Sequence, residues 1–297
     1  MLALNPRTKK RTTLSNCPNL VAGVGLEPHD LQVMSLTSYQ LLYPAMFDGA
    51  KVSIIFKFPK NWMKKYFFRI FVSMTKHWTI IVAGGAGMRM GAEIPKQFLT
   101  LAGKPILVHT LEAFHNADPA MGLVVVLPQA HIDMWSDICK TYATPAHTVA
   151  VGGASRFDSV ASGLAAVPAE AEVIGVQDGV RPFASKALID RCFAQAEQSG
   201  SAIPVVAAID SFRAMREDGS SEIVDRSVLR AVQTPQVFGA KLLREAYAKC
   251  SGGAGFTDDA SVVEGAGASV TLVEGERFNI KITTPEDLLI GEAIKKM

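Results

Sequence analysis

At 297 residues, 48% hydrophobic and 20% charged, with a formal net charge of +2, the chain has ample apolar material for a large folded core and too little net charge for disorder. Its four cysteines, Cys17, Cys139, Cys192 and Cys250, are scattered and form no C-x-x-C pair, which excludes a disulfide scaffold and a cysteine zinc site. The charge is divided unevenly: residues 1–75 hold 10 Lys/Arg against 3 Asp/Glu, a net +7, leaving 20 against 25, a net −5, for residues 76–297, so nucleic-acid binding by the second part is not expected.

Residues 1–75 contain 10 of the 23 aromatic residues but only 3 of the 24 glycines, and no helical or strand period is sustained through them. The basic stretch Arg7 to Arg11 leads into Thr-Thr-Leu-Ser-Asn and not into an apolar run, so it does not read as a secretory signal, and a cytoplasmic location is expected. Met63 to Met74 (MKKYFFRIFVSM) is the one membrane-like piece. It is too short to span a bilayer and is broken by Arg69, so a membrane partner is not expected either. Residues 1–75 therefore read as a poorly patterned basic extension, either a dispensable leader or an overextended reading frame ahead of a true start at Met74.

From residue 76 on, short apolar runs alternate with glycine-containing turns and amphipathic helices, the pattern of an α/β domain. Trp78 to Ala83 reads as a buried strand running into a glycine-rich loop, Gly84-Gly85-Ala86-Gly87-Met88-Arg89-Met90-Gly91. Backbone without Cβ atoms lets N–H groups wrap an anion. The spacing from Gly85 is G-x-G-x-x-x-G, which is not the dinucleotide fingerprint, and no G-K-[ST] follows as a P-loop requires. Pro95-Lys96-Gln97 comes next, then a Gly103-Lys104-Pro105 turn and a helix over about 107–117. The glycine loop, Arg89, Lys96 and this turn together resemble the sugar-nucleotide pyrophosphorylase superfamily, which moves a nucleotidyl group from a nucleoside triphosphate to a phosphorylated acceptor. Two cations beside a backbone cradle suit a triphosphate.

Strands over 123–127, 148–151 and 173–176 alternate with helices over 132–142 and 155–167. The last strand ends in Gln177-Asp178-Gly179-Val180-Arg181-Pro182. In an open parallel sheet this puts Asp178 and Arg181 on the rim that carries the glycine loop. Asp178 is there a candidate Mg²⁺ ligand, since one carboxylate plus phosphate oxygens is a common set for that ion. Further on, Phe212 to Met215 and Glu222 to Val224 flank Glu217-Asp218-Gly219-Ser220, a hairpin signal, within an arm at about 209–232. The last helix opens at Thr283-Thr284-Pro285-Glu286-Asp287, with a capping Thr, a first-turn Pro and two acids; it is expected to hold a strand carrying Lys281 against the sheet. The six histidines, His29, His77, His109, His115, His131 and His147, have no ligand spacing and read as structural or surface groups.

The ordered set Gly152-Gly153-x-x-Arg156-x-x-Ser159-Val160, Asp178-x-x-Arg181-Pro182, Asp210-Ser211, Asp225-Arg226, Thr234-Pro235-Gln236, Thr257-Asp258 and Asn279-Ile280-Lys281-Ile282-Thr283 resembles the 2-C-methyl-D-erythritol 4-phosphate cytidylyltransferase family, over residues 78–297. The resemblance implies a Rossmann-like nucleotidyltransferase (GT-A-like) α/β fold, with a mostly parallel sheet, helices on both faces and a protruding β-arm. It implies a homodimer joined through that arm, which makes a cytidine diphosphate intermediate of non-mevalonate isoprenoid synthesis from CTP and 2-C-methyl-D-erythritol 4-phosphate, with Mg²⁺. By the same resemblance, Ala83, Gly84, Gly85 and Gly87 cradle CTP, while Arg89 and Lys96 stabilise charge at the α-phosphate. Ser159 and Asp178 touch the cytidine and its metal, and Arg226 and Lys281 hold the acceptor phosphate, with Ser211 and Thr234 beside them. Arg181 and Thr257 complete the substrate-binding set. Ser211 stands where the family pattern has threonine and keeps the hydroxyl. The acceptor side distinguishes the methylerythritol substrate least well from ribitol 5-phosphate; a catalytically silent nucleotide-binding module is the reading from another class.

Overall fold

The computed structural model describes residues 76–84, 94–250 and 255–297. Its centre is four parallel strands: β1 (His77–Val82), β4 (Gly122–Leu127), β5 (Thr148–Val151) and β6 (Val173–Asp178), in the order β6-β1-β4-β5. β1, β4 and β6 are near-continuous apolar runs, buried on both faces as central parallel strands require. Two short strands, β2 (Thr100–Leu101) and β3 (Lys104–Pro105), form a ribbon of their own ahead of helix α1 (Ile106–Ala117).

Helices cover both faces. Ile81 joins Leu107, Leu111 and Phe114 of α1, Trp135 of α2 (Ile132–Tyr142) and Leu188 and Phe193 of α4 (Lys186–Ser199) in one apolar cluster. Its neighbour Ile80 points the other way, to α3 (Arg156–Ala166). There a Cβ on Gly163 would lie 2.5 Å from Ile80 Cγ2, so glycine is what lets that helix close on the sheet.

Past β6 the sheet changes direction. β7 (Ser201–Ala207) runs antiparallel to β10 (Arg230–Val232) and to β11 (Gln236–Gly239), and β11 inserts antiparallel beside β6. β12 (Leu272–Glu274) pairs parallel with β7 and completes eight strands among the described residues. α5 (Ala240–Lys249) packs on β11 and β6 and against α6 (Asp259–Gly265). The result is the mostly parallel α/β sheet expected from the sequence.

The arm is present as expected. β8 (Phe212–Met215) and β9 (Ser221–Val224) pair only with each other. Their turn is closed by Gly219 N donating to Arg216 O at 3.0 Å and by Arg216 N donating to Ser220 O at 2.9 Å. Gly219 sits at φ +80°, a left-handed conformation that glycine adopts without a Cβ penalty. The extra turn residue makes this a bulged hairpin and not the two-residue turn that Asp-Gly most often forms.

One sequence expectation is corrected. Lys281 is not on a strand: residues 279–283 have no regular structure. The segment is held by Ile282 N donating to Val180 O at 2.9 Å and by the cluster of Leu101, Ile106, Val180 and Ile282, against which Leu288 packs. Leu288 belongs to the last helix, α7 (Pro285–Lys295), which opens with a Thr284–Asp287 capping box and Pro at its start. A sheet ladder was therefore not needed to fix Lys281; the Val180 backbone bond, the buried Ile282 and the side-chain bonds to its neighbours Asn279 and Thr283 do so.

Candidate active site

The carboxyl ends of the parallel strands are stitched to one another. Ala83 N donates to Val126 O at 2.9 Å, Gly152 N to Leu127 O at 2.8 Å and Gly179 N to Val82 O at 2.8 Å. Ala83, Gly84, Gly152 and Asp178 are therefore on one rim, where open α/β sheets bind ligands. Gly85, Gly87 and Arg89 lie outside the described residues.

Asp178 ends β6 with its side chain only 12% exposed. Three cations surround it. Lys281 Nζ is 2.9 Å and Arg181 Nε 3.3 Å from Oδ2, while Arg156 Nε is 4.0 Å from Oδ1. Burial alone would push this carboxyl's pKa up, but Lys281, Arg156 and Arg181 outweigh it and hold the pKa below the ordinary value. Asp178 is thus an anion in a pocket with an excess of positive charge, which favours polyanions such as phosphates.

The surrounding loops are fixed by the same residues. Arg181 Nη1 donates to Asn279 O at 2.9 Å, and Asn279 Nδ2 donates to Thr234 O at 2.8 Å. Thr234 Oγ1 accepts from Asp178 N at 3.1 Å. Asp178, Arg181, Thr234 and Lys281, far apart in sequence, are brought together. Thr234 is buried and supports the Asp178 backbone; only Lys281, 41% exposed, reaches solvent freely.

Ser159 is close to the start of the glycine loop. A Cβ on Gly84 would be 3.7 Å from its Oγ, and one on Gly152 3.0 Å. The hydroxyl donates to Ser155 O at 2.9 Å and accepts from Gly153 N at 3.2 Å, so it shapes the Gly152-Gly153 floor under the rim. Lys96 is half-buried at the start of the short helical turn Lys96–Phe98. Thr257 is exposed, just before the Asp258 cap of α6.

Ser211 and Arg226 are exposed on the arm, where the Arg226 guanidinium donates to Ile209 O. Among the described residues neither hydrogen-bonds nor ion-pairs with the Asp178 cluster. The sequence reading assigns no role to Arg156, although it stands in a quoted motif, nor to Asp259 and Tyr247. The doubled acid after Thr257 was the available signal for Asp259.

Among the described residues no group of three or more His, Cys, Asp or Glu side chains could hold a metal ion. A lone carboxylate facing a cationic rim suits an ion that arrives with phosphate oxygens. Of the cysteines, Cys139, Cys192 and Cys250 are free, and burial pushes the Cys192 thiol up to about 12.

The sequence model of IspD, 2-C-methyl-D-erythritol 4-phosphate cytidylyltransferase, matches residues 78–297. The chain belongs to that family. It is accordingly a nucleotidyltransferase of the isoprenoid pathway. A protein of the same description from Bacteroides thetaiotaomicron is 50% identical over 220 residues, covering 74% of this chain and 99% of the relative. One from Porphyromonas gingivalis is 45% identical over 221 residues, covering 74% and 97%. Among solved structures, the Thermus thermophilus cytidylyltransferase matches with a TM-score of 0.61 at 34% identity, over 75% of this chain and 100% of that one. The Francisella tularensis enzyme matches with a TM-score of 0.64 at 28% identity, over 75% and 100%.

Proposed function

We propose that the rim around Asp178 is where this chain transfers the cytidylyl group of CTP to 2-C-methyl-D-erythritol 4-phosphate, releasing pyrophosphate. The observation that carries the assignment is the buried Asp178 carboxylate ringed by Lys281, Arg181 and Arg156 at the carboxyl end of the parallel sheet. A silent nucleotide-binding module would have no use for so many cations on the acceptor side, and the shared family favours the methylerythritol acceptor over ribitol 5-phosphate.

In this reading the glycine loop from Ala83 through Gly84, Gly85 and Gly87 wraps the triphosphate, and Ser159 and Thr257 border the nucleoside. Arg89 and Lys96 stabilise the charge that builds on the α-phosphate. Lys281, with Arg226 and Ser211 from an arm, orients the acceptor phosphate. An oxygen of that phosphate bonds to the α-phosphorus as the bond from the α-phosphorus to the bridging oxygen breaks, and the electron pair leaves on pyrophosphate. The attacking oxygen is already anionic, so no general base is required and catalysis reduces to positioning and electrostatic stabilisation. Asp178 would hold Mg²⁺, and that ion, when bound, neutralises phosphate charge. The arm's exposed apolar residues support a homodimer, and the lack of a spanning helix among the described residues is compatible with cytoplasmic work.

The test is pyrophosphate release from the purified chain with CTP and Mg²⁺, offering the methylerythritol and ribitol phosphates in parallel, for the full chain and for one starting at Met74. Turnover with the first acceptor by both chains is expected. Turnover only with ribitol phosphate overturns the acceptor; loss on truncation overturns the dispensable extension.

A further inference from the structure

The two oxygens of Asp178 are treated differently. Oδ2 takes Lys281 and Arg181 at 2.9 and 3.3 Å, whereas Oδ1 faces Arg156 Nε across 4.0 Å, beyond hydrogen-bond reach. The cause of the gap is on the far side of the guanidinium. Arg156 Nη1 and Nη2 donate to Oδ1 and Oδ2 of Asp259 at 3.1 and 2.6 Å, a two-pronged pair of the strong kind.

Asp259 cannot follow Arg156 toward the rim. It is fully buried, and Tyr247 OH donates to its Oδ1 at 2.7 Å. Its backbone opens α6 behind the Asp258–Ser261 capping box. Gln236 on β11 fastens that box to the sheet, with Nε2 donating to Asp258 Oδ2 and Oε1 accepting from Ala260 N, both at 2.8 Å. Tyr247 in turn stacks on Phe157, with ring centroids 4.6 Å apart. Arg156 itself starts α3 directly after the N-cap Ser155, inside the Ser155–Asp158 capping box, so both ends of the pair are anchored to helix starts.

We propose that Asp259 and Tyr247 tether Arg156 just short of Asp178, so that Oδ1 of Asp178 stays open for the divalent cation that enters with CTP. A buried carboxylate and an unbalanced guanidinium attract strongly. Without its tether the flexible Arg156 side chain closes onto Oδ1 and occupies the position the incoming cation needs. With the tether in place Asp259 balances the Arg156 charge, and Asp178 keeps its own. Arg156, Asp259 and Tyr247 are therefore positioning residues that act through Asp178. The inference rests on the reading of Asp178 given above.

The alternative is that the pair only staples α3 to α6, and the two roles predict opposite behaviour of a double variant. CTP binding in excess Mg²⁺ is measured by calorimetry on the full chain and on Asp259→Asn, Arg156→Met, Arg156→Met/Asp259→Asn and Asp178→Asn, with a thermal midpoint for each. The expected result is that Asp259→Asn weakens binding roughly tenfold and that adding Arg156→Met restores it to within about threefold of the unaltered chain, a coupling of the size seen between contacting residues. A double variant as weak as Asp259→Asn makes the pair a staple and overturns the tether. Unaltered affinity in Asp259→Asn beside weak binding in Asp178→Asn also overturns it, while leaving Asp178 in its role. Unaltered affinity in Asp178→Asn overturns the reading of the site and the tether together. Where Asp259→Asn shows no thermal transition, Tyr247→Phe decides: weakening of roughly threefold that Arg156→Met reverses supports the tether, and no weakening overturns it.

Discussion

Lys281 Nζ lies 2.9 Å from Oδ2 of Asp178, joining the irregular segment before α7 to the end of the central strand β6. The pair is half open, with the Lys281 side chain 41% and the Asp178 side chain 12% exposed. That asymmetry lets the ammonium turn from the carboxylate to an arriving phosphate while Asp178 stays in place. Lys281→Ala is expected to lower kcat/KM for the acceptor by roughly 10²-fold to 10³-fold, the scale for one preorganised charge-stabilising donor. The KM for CTP should move far less. Steady-state kinetics with each substrate varied in turn checks this, and a loss confined to CTP would reassign the lysine.

Gly179 follows Asp178 in a place with no room for a side chain. A Cβ there would be 2.9 Å from Ala83 Cβ and 3.0 Å from Val82 O, and the backbone is fixed on both sides by Gly179 N donating to Val82 O and Thr110 Oγ1 donating to Gly179 O at 2.9 Å. Gly179→Ala therefore pushes the end of β6 away from the end of β1, where the glycine loop leaves. A stability loss of about 1–3 kcal/mol is expected from such overpacking. Turnover should fall more than tenfold through the displaced Asp178, a misplacement of about an ångström being enough for that. Denaturant unfolding and turnover measured on the same preparation would reveal a variant that is destabilised yet fully active, which would sever Gly179 from the site.

His147 gives the fold an acid-sensitive joint. Trp135 Nε1 donates to His147 Nε2 at 2.9 Å, so the ring proton is on Nδ1, which donates to Pro145 O at 2.7 Å. Cys139 Sγ also approaches Nε2, at 3.9 Å. A second proton on Nε2 would face the indole N–H. Burial lowers the pKa of His147 below its ordinary 6.5, only partly offset by the Pro145 bond. The unfolded chain then binds the proton first as the pH falls through 6.5, so native stability declines below that value, until the lower folded-state pKa is reached. His109, lowered by burial as well, adds with the same sign. The melting midpoint should drop between about pH 7.5 and pH 5.5, and His147→Gln should show a lower midpoint at the upper pH but a flatter slope. Equal slopes in the two chains would remove His147 from the effect.

What could be read from the sequence was what is local. β1 and β6 were legible as continuous apolar runs, the arm from Asp218-Gly219 between two short strands, and α7 from Thr284 and Pro285. The rim assignment of Asp178 followed from its place at a strand end. The expected strand at Lys281 failed because Ile280 and Ile282 alternate with polar neighbours as strand residues do, while the actual restraints are one backbone bond to Val180 and side-chain bonds to Asn279 and Thr283, none of them a ladder. The Arg156–Asp259 pair was invisible for a related reason: each residue reads as an ordinary first-turn helix residue, and only the tertiary fold brings the guanidinium and the carboxylate at the starts of α3 and α6 to 2.6 Å. Non-local charge pairs leave no period in a sequence.

The arm yields the sharpest test of assembly. Phe212, Met215, Ile223 and Val228 are 43%, 70%, 79% and 74% exposed, and a two-stranded hairpin with such a surface is marginal in water unless covered. If a second copy covers it, Arg226 and Ser211 serve the neighbouring site and each active site draws Lys96 from one subunit and Arg226 from the other. Arg226→Ala and Lys96→Ala chains are each expected to lose roughly 10²-fold to 10³-fold in turnover. Unfolded together and refolded in equal amounts, they should recover about a quarter of the unaltered activity, because half of the dimers are mixed and each mixed dimer has one site with both cations intact. Activity no higher than the sum of the two parents, from a preparation shown to be dimeric, would place Arg226 in its own subunit's site and end the exchanged-arm reading.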